Sequence, residues 1–130
     1  MSRAEKKTIV LIDDSPSDRR IFRRFLEHKN DGVFEIVEAA SAKAGVETCR
    51  QSKPHCIVLD FKLPDGDGLS LIAEIQKVTK APIIFVTGQP VALAQTQAYR
   101  YGVVKFISKD LISSEVLRAA VTEALASAEK

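Results

Sequence analysis

The sequence predicts an α/β domain with a doubly wound, five-stranded parallel sheet in a three-layer α/β/α arrangement. Two observations lead to this fold class. Short apolar runs alternate with longer segments whose apolar residues recur at helical spacing, and Gly, Pro, Ser, Asn and Asp mark the boundaries between them. Alternating strands and helices joined by right-handed crossovers build such a sheet. The length of 130 residues fits one domain with its own core.

Five apolar runs predict the strands of the sheet. A parallel strand covered by helices on both faces is nearly continuous in apolar residues, and most of the runs have this character. The predicted strands are Thr8–Ile12, Phe34–Ala39, Cys56–Leu59, Pro82–Val86 and Val104–Ile107.

Helix-start signals and apolar stripes predict a helix after each strand. In the first helix, Ser15 caps the amino end, Pro16 suits the first helical position and Asp18 stands three residues after the cap. The fourth helix is the weakest prediction because its stripe is poor in large apolar residues. The predicted helices are one beginning after Ser15, Ser41–Ser52, one across Leu69–Ile75, one near Val91–Tyr101 and one beginning after Ser113.

Polar residues lie at or just past the ends of four of the predicted strands. For the sheet we expect the flavodoxin-like strand order 2-1-3-4-5, in which strands one and three are neighbours at the switch point where such sheets bind ligands. The carboxyl ends of parallel strands meet at one edge of the sheet, so these residues are expected to share one crevice. They are Asp13 and Asp14 after strand one, Asp60 after strand three, Thr87 after strand four and Lys109 after strand five.

The predicted crevice suits phosphoryl chemistry with a metal ion. Three carboxylates packed together repel one another strongly unless a cation is present, and Mg²⁺ prefers a few such oxygen ligands. A carboxylate can also attack a phosphoryl group to form an aspartyl phosphate. Lys109 and Thr87 would then neutralise and hydrogen-bond the phosphoryl oxygens.

Each of these residues has a plainer explanation when it is taken alone. Paired aspartates often cap helices, Asp60 would more often be a turn residue, and a single Lys109 is usually a surface lysine. Their joint placement at the ends of four strands is what supports a functional site.

With this set of residues, the chain closely resembles the receiver domain of bacterial two-component response regulators. The resemblance runs from about Thr8 to Ala126, which implies one receiver domain across residues 1–130. Within the family, the chain resembles single-domain, chemotaxis-regulator-like receivers, and its segment from Phe106 to Leu111 resembles a subgroup with Lys-Asp where most receivers have Lys-Pro. The matching residues are Ile12-Asp13-Asp14, Leu59-Asp60, Leu63-Pro64-Asp65-Gly66-Asp67-Gly68, Val86-Thr87-Gly88 and Lys109.

The resemblance implies a role for each matching residue. Asp60 would accept a phosphoryl group from a histidine kinase or a histidine phosphotransfer protein, and Thr87 and Lys109 would bind its oxygens. Asp13, Asp14, Asp60 and the backbone carbonyl of Lys62 would position Mg²⁺. The side chains of Lys62 and Gln89 would flank the path of attacking water and so tune the lifetime of the phosphorylated state.

Two residues depart from the usual receiver pattern. Asp110 stands where most receivers have a proline, often after a cis bond; a cis bond before a non-proline residue costs about 2.5–4 kcal/mol. Phe106 stands where motility-type receivers commonly have tyrosine, and it has no hydroxyl to donate. Phe106 is therefore expected either to act with Thr87 as a packing switch or to be a half-buried strand residue.

Composition excludes several other classes of protein. The net charge of +2 argues against a dedicated nucleic-acid binder, and Cys49 and Cys56 fit neither a metal motif nor a disulfide framework. No signal peptide or membrane-spanning run is present, so a cytoplasmic protein without membrane partners is expected. The downstream target is not indicated, and homodimer formation stays open. A helical stripe of basic residues is either a solvated face or a docking surface: Arg19, Arg20, Arg23 and Arg24.

Two other functions are compatible with the predicted fold. A phosphatase that forms an aspartyl phosphate has a second acid two residues after the nucleophile, whereas here Asp60 is followed at that distance by Lys62. A flavin-binding electron carrier has a phosphate loop rich in Ser and Thr after strand one, where Asp13 and Asp14 would repel the phosphate.

Overall fold

A computed structural model describes residues 6–27, 34–60, 62–63, 65–88, 100 and 102–128. Within them the chain forms seven strands and four helices. The strands are β1 Lys7–Ile12, β2 Phe34–Ala39, β3 Cys56–Asp60, β4 Lys62–Leu63, β5 Gly66–Asp67, β6 Ile83–Thr87 and β7 Lys105–Ser108. The helices are α1 Pro16–Leu26, α2 Ala42–Ser52, α3 Gly68–Gln76 and α4 Ser114–Ala128.

The main sheet confirms the predicted topology. Its strands lie in the order β2-β1-β3-β6-β7 and all neighbours are parallel. Counted along the chain within this sheet, the order is 2-1-3-4-5. Ile12 of β1 is in register with Leu59 of β3, which places the residues that follow both strands at the same edge. The helix predicted near Val91–Tyr101 falls, apart from Arg100, outside the described residues.

Two apolar layers, one on each face of the sheet, form the core. Alternate residues of β1 separate cleanly: Ile9 and Leu11 pack on the face with α1 and α4, while Val10 and Ile12 pack on the face with α2 and α3. The other central strands alternate in the same way, as a sheet covered on both faces requires. The free cysteines Cys49 and Cys56 are buried as expected, and burial raises the pKa of the Cys49 thiol to about 11.

The predicted caps are present on α1 and α4. Ser15 Oγ accepts the backbone N–H of Asp18 at 3.2 Å, and Ser113 Oγ accepts that of Val116 at 3.1 Å. Both bonds satisfy amide groups that have no partner within the helix. No helix in the described part of the chain combines the length and apolar character that crossing a bilayer requires.

The basic stripe of α1 divides into two kinds of arginine. Arg19 and Arg23 each donate to a different carboxylate oxygen of Glu38 on β2, at 2.9 and 2.7 Å. The hydrogen bond from Arg23 is the main reason that the pKa of Glu38 is lowered. Arg20 and Arg24 are exposed. Half of the stripe therefore fastens α1 to the edge of the sheet, and half faces solvent.

Candidate functional site

The structure brings the predicted site residues to one edge of the sheet. Asp13 follows β1, Asp60 and Thr87 end β3 and β6, and Lys109 follows β7. Asp13, Asp60 and Thr87 are only 3%, 8% and 3% exposed, whereas Asp14 is exposed to solvent. Buried carboxylates require compensation by a positive charge or by hydrogen bonds. Charge compensation is therefore required to stabilise this edge of the sheet.

Asp13, Asp14 and Asp60 form a compact acidic cluster. Each offers a carboxylate oxygen, and the three oxygens lie within 4.8 Å of one another. Such a hard-oxygen set fits Mg²⁺, which binds proteins through one or a few carboxylates and keeps several waters. The open side of the cluster is provided by Asp14, the exposed member. The residues present thus fit the metal that the sequence predicts.

The ammonium group of Lys109 lies among the carboxylates. Its Nζ donates to Asp13 Oδ2 at 3.1 Å, to Asp18 Oδ2 at 2.7 Å and to Asp60 Oδ2 at 3.3 Å. Burial by itself would lower the pKa of Lys109, but the hydrogen bonds to Asp18 and Asp13 and the charges of Asp13 and Asp60 outweigh it and raise that pKa. Lys109 therefore stays protonated over the whole physiological range.

The backbone fixes Asp13 and Lys109 at this edge. The Lys109 N–H donates to the Thr87 carbonyl at 2.7 Å, which extends the pairing of β6 and β7 by one residue. The Asp13 N–H donates to the Ala39 carbonyl at 3.0 Å, and the Ser15 N–H donates to Asp13 Oδ1 at 2.9 Å. These bonds fix the backbone of both residues at the edge of the sheet where the acid and the ammonium group meet.

Comparison with known proteins identifies the family. The sequence profile described as the response regulator receiver domain matches residues 9–122. The chain belongs to this family. The family match and the geometry of the acidic edge agree, because a receiver domain is the signalling module of a two-component phosphorelay and has an acidic cluster of this kind at its metal site.

Individual relatives support the same assignment. The transcriptional regulatory protein SrrA of Staphylococcus aureus is 28% identical over 109 residues, which are 84% of this chain but 44% of SrrA. The chain thus spans less than half the length of this curated relative. A two-component response regulator from Clostridium difficile has a TM-score of 0.86 at 26% identity, with 96% of this chain and 100% of that chain covered.

A lower-identity match shows the fold alone. A CheY-like response regulator receiver domain protein from Methanospirillum hungatei JF-1 has a TM-score of 0.87 at 24% identity, and the match covers 96% of this chain and 98% of that chain. The receiver fold with strand order 2-1-3-4-5 is therefore shared across proteins whose sequences differ at about three-quarters of their positions.

The structure describes Phe106 fully but the remaining predicted receiver residues only in part. Phe106 on β7 is half-buried and meets Phe85 of β6 edge to face, with ring centroids 5.9 Å apart and planes at 83°. Within the described residues every peptide bond is trans, including Lys109–Asp110. Lys62 begins β4 and is separated from the end of β3 by one residue. The Lys62 side chain and the whole of Gln89 are outside the described structure.

Sequence reasoning missed the functional position of two acids in the receiver. Asp18 was predicted to serve the start of α1, yet its carboxylate makes the shortest contact to Lys109. Asp65 was singled out only as part of the matching receiver motif, yet it accepts the N–H groups of Ala42 and Lys43 at the start of α2. A signal existed for Asp18, because the first turn of a helix after β1 begins at the functional edge. No local signal links Asp65 to α2.

The turn that contains Asp65 is also more regular than the sequence indicated. Residues 63–68 are rich in turn-forming residue types, but β4 and β5 pair as a small antiparallel hairpin, with Lys62 opposite Asp67 and Leu63 opposite Gly66. Pro and Asp between the two strands suit a tight connection of this length.

Proposed function

We propose that this receiver accepts a phosphoryl group on Asp60 in a transfer that requires Mg²⁺. The observation that carries the proposal is the environment of the Asp60 carboxylate. It is nearly buried, it lies beside Asp13 and Asp14, and it accepts the Lys109 ammonium at 3.3 Å. A nucleophilic carboxylate needs such a setting because the incoming group brings negative charge into an already acidic crevice.

The phosphoryl donor is a phosphohistidine of a histidine kinase or of a histidine phosphotransfer protein. A carboxylate oxygen of Asp60 attacks the phosphorus, and an O–P bond forms as the P–N bond to the histidine breaks. The ring nitrogen keeps the electron pair of that bond and is protonated, which leaves a neutral histidine. Because the transition state is stabilised chiefly by positioning and charge, the surrounding residues need not react covalently.

Lys109, Thr87 and the acidic cluster perform this positioning. Lys109 already donates to Asp60, so the same ammonium meets the phosphoryl oxygens once Asp60 carries them. Thr87 supplies a hydroxyl at the end of the adjacent strand. Asp13, Asp14, Asp60 and the backbone carbonyl of Lys62 would hold Mg²⁺, which supplies further positive charge when it is bound.

The phosphorylated receiver signals through protein contacts. We infer that Thr87 moves toward the phosphoryl group and that Phe106 repacks beside Phe85, so that the surface near β7 changes with the state of Asp60. A protein partner in the cytoplasm would read this change. The chain acts as a switch that transfers and hydrolyses its own phosphoryl group, with no turnover of another substrate and no role for nucleic acid or membrane.

Phosphorylation with a small donor tests the proposal. Acetyl phosphate and Mg²⁺ should add about 80 Da to the protein, the mass that one transferred phosphoryl group brings. The new bond should be labile in base, as an acyl phosphate is. Asp60→Asn keeps the size of the side chain and removes the nucleophile, so it should not gain this mass. Equal labelling of Asp60→Asn and the parent would overturn the assignment of Asp60.

A matched control separates loss of the nucleophile from loss of a nearby charge. Asp110→Asn makes the same chemical change at an exposed residue beside Lys109. It should be labelled at the parent rate. Transfer from a phosphorylated histidine phosphotransfer domain, followed by mass spectrometry, then tests the proposed class of partner.

A further inference from the structure

Lys109 has a full set of hydrogen-bond acceptors. An ammonium group has three N–H donors, and among the described residues Nζ has three carboxylate partners, Asp13, Asp18 and Asp60. The contact to Asp18, at 2.7 Å, is the shortest of the three. Asp18 is therefore a principal partner of Lys109 and not an incidental neighbour.

Asp18 differs from the other two partners in its surroundings. Asp13 and Asp60 belong to the acidic cluster, whereas Asp18 lies on the first turn of α1 outside that cluster. Its backbone N–H is held by the Ser15 cap at 3.2 Å, so the start of the helix fixes its position. One turn further along α1, the ring of Phe22 lies with its centroid 5.9 Å from Nζ of Lys109. The same face of α1 thus supplies a carboxylate and an aromatic ring to one ammonium group.

Only Asp18 keeps its carboxylate free for Lys109 during the proposed reaction. Oxygens of Asp13 and Asp60 are required elsewhere, by the cation and by the transferred group, and their hydrogen bonds to Lys109 compete with those demands. We propose that Asp18 is a positioning residue that holds Nζ of Lys109 toward Asp60 when the cluster is occupied. This inference rests on the proposed function of Asp60.

Two opposing effects of Asp18 can be weighed. Its negative charge offsets part of the charge that Lys109 presents to a phosphoryl group. Against this, a lysine side chain has four rotatable bonds, and the Lys109 side chain is already 20% exposed, so an unanchored ammonium can turn toward water. Positioning outweighs charge here because the Ser15 cap positions Asp18 on the first turn of α1 and the Asp18 side chain is only 33% exposed.

Binding of a phosphoryl mimic and of the metal alone distinguishes these effects. Asp18→Asn should weaken the affinity for beryllofluoride in saturating Mg²⁺ about three- to tenfold, the loss expected for one partly exposed charged hydrogen bond. Its Mg²⁺ affinity, measured without beryllofluoride, should stay within about twofold of the parent because Asp18 is outside the cluster. Asp18→Glu should recover part of the lost beryllofluoride affinity.

A matched control and a second readout complete the test. Glu27→Gln removes a carboxylate from the chain just past the end of α1, where it pairs with Arg23 and not with Lys109, and it should bind beryllofluoride like the parent. NMR of the Lys109 side chain in protein saturated with Mg²⁺ and beryllofluoride should show greater motion in Asp18→Asn than in Glu27→Gln.

Each outcome has a definite meaning. Unchanged or tighter beryllofluoride binding by Asp18→Asn overturns the inference, and so does an equal loss of Mg²⁺ and beryllofluoride affinity. If the parent protein itself binds no beryllofluoride and accepts no phosphoryl group, the proposed function of Asp60 fails and the inference fails with it.

Discussion

Asp65, on the hairpin that follows β3, accepts the backbone N–H of Ala42 at 2.7 Å across the gap to α2. Its second oxygen accepts the N–H of Lys43 at 3.0 Å, and Ser41 Oγ accepts that of Ala44 at 3.1 Å. Two side chains from different parts of the chain thus share the amino end of one helix, where partial positive charge and unpaired N–H groups favour a carboxylate. This cap ties the segment that follows Asp60 to α2.

Replacement of Asp65 should therefore reduce the loss of folding stability that occurs as the pH falls. The two backbone hydrogen bonds, that of Lys43 first, lower the pKa of Asp65 below its ordinary value of 3.8. A carboxyl group whose pKa is lowered by folding adds stability above its unfolded pKa, and this contribution fades as pH falls through the lowered value. Asp65→Asn should unfold at lower urea concentration than the parent at pH 7, with the difference shrinking below about pH 3.8.

An exposed aspartate outside the cap provides the comparison for Asp65. Asp110→Asn should leave the urea midpoint at pH 7 close to that of the parent, because exposed charges contribute little. A difference between Asp65→Asn and the parent that stays constant from pH 7 to pH 3 would contradict the assigned role of the cap.

The acidic cluster should make stability respond to Mg²⁺ through Asp14. Mass action gives about 2.7 kcal/mol of stabilisation at a hundredfold excess of metal over its dissociation constant. Asp14→Ala should lose most of this response, since it removes the exposed ligand of the cluster. It should not destabilise the metal-free protein, because it removes a charge that repels Asp13 and Asp60. Thermal unfolding with and without Mg²⁺ measures both effects, and equal Mg²⁺ affinity in the variant would count against the cluster as the metal site.

The acidic edge could be predicted from the sequence because each of its residues lies at or just past the end of a predicted strand. Parallel strands bring their carboxyl ends together, so Asp13, Asp60 and Lys109 could be placed in one crevice from the ends of three apolar runs alone. The strand order was expected from the flavodoxin-like fold class. The caps Ser15 and Ser113 could be predicted because they depend only on residues close in sequence.

Contacts that depend on side-chain direction could not be predicted in this way. Asp18 is a regular helix-start residue by its spacing, and only the rotation of α1 against the sheet shows that it faces Lys109. Arg19 and Arg23 fit a solvated stripe equally well until the position of Glu38 on β2 is known. Local pattern specifies the element, and tertiary packing specifies which neighbour each side chain meets.

The phosphorylated state should decay slowly, because of residues that flank the acceptor and Thr87. Lys62 follows Asp60 by two positions and Gln89 follows Thr87 by two. We expect the lysine at the first position to add positive charge and to shield the phosphoryl group from attacking water. Lys62→Asn combined with Gln89→Glu should therefore shorten the half-life of the phosphorylated protein, measured by loss of the added mass over time. Slower decay would mean that Lys62 stabilises the hydrolytic transition state instead.

Loss of Lys109 should destabilise the metal-free protein far more than the Mg²⁺-bound protein. Lys109→Ala leaves Asp13 and Asp60 buried without the ammonium group that they share. Removing one partner of a buried ion pair lowers the free energy of unfolding by about 3–5 kcal/mol. We expect the low end of this range because the Lys109 side chain is 20% exposed. Bound Mg²⁺ replaces the missing charge, so saturating metal should restore much of the lost stability.

A surface lysine is the control for this last variant. Lys77→Ala breaks an exposed pair with Glu74, in which both side chains are more than half exposed, and should change unfolding free energy by less than about 1 kcal/mol with or without metal. Urea denaturation of both variants in Mg²⁺ and in chelator gives the four values required. If Mg²⁺ stabilises Lys109→Ala no more than it stabilises the parent, then the charge of Lys109 does not compensate the acidic cluster, and the lysine acts there only through packing.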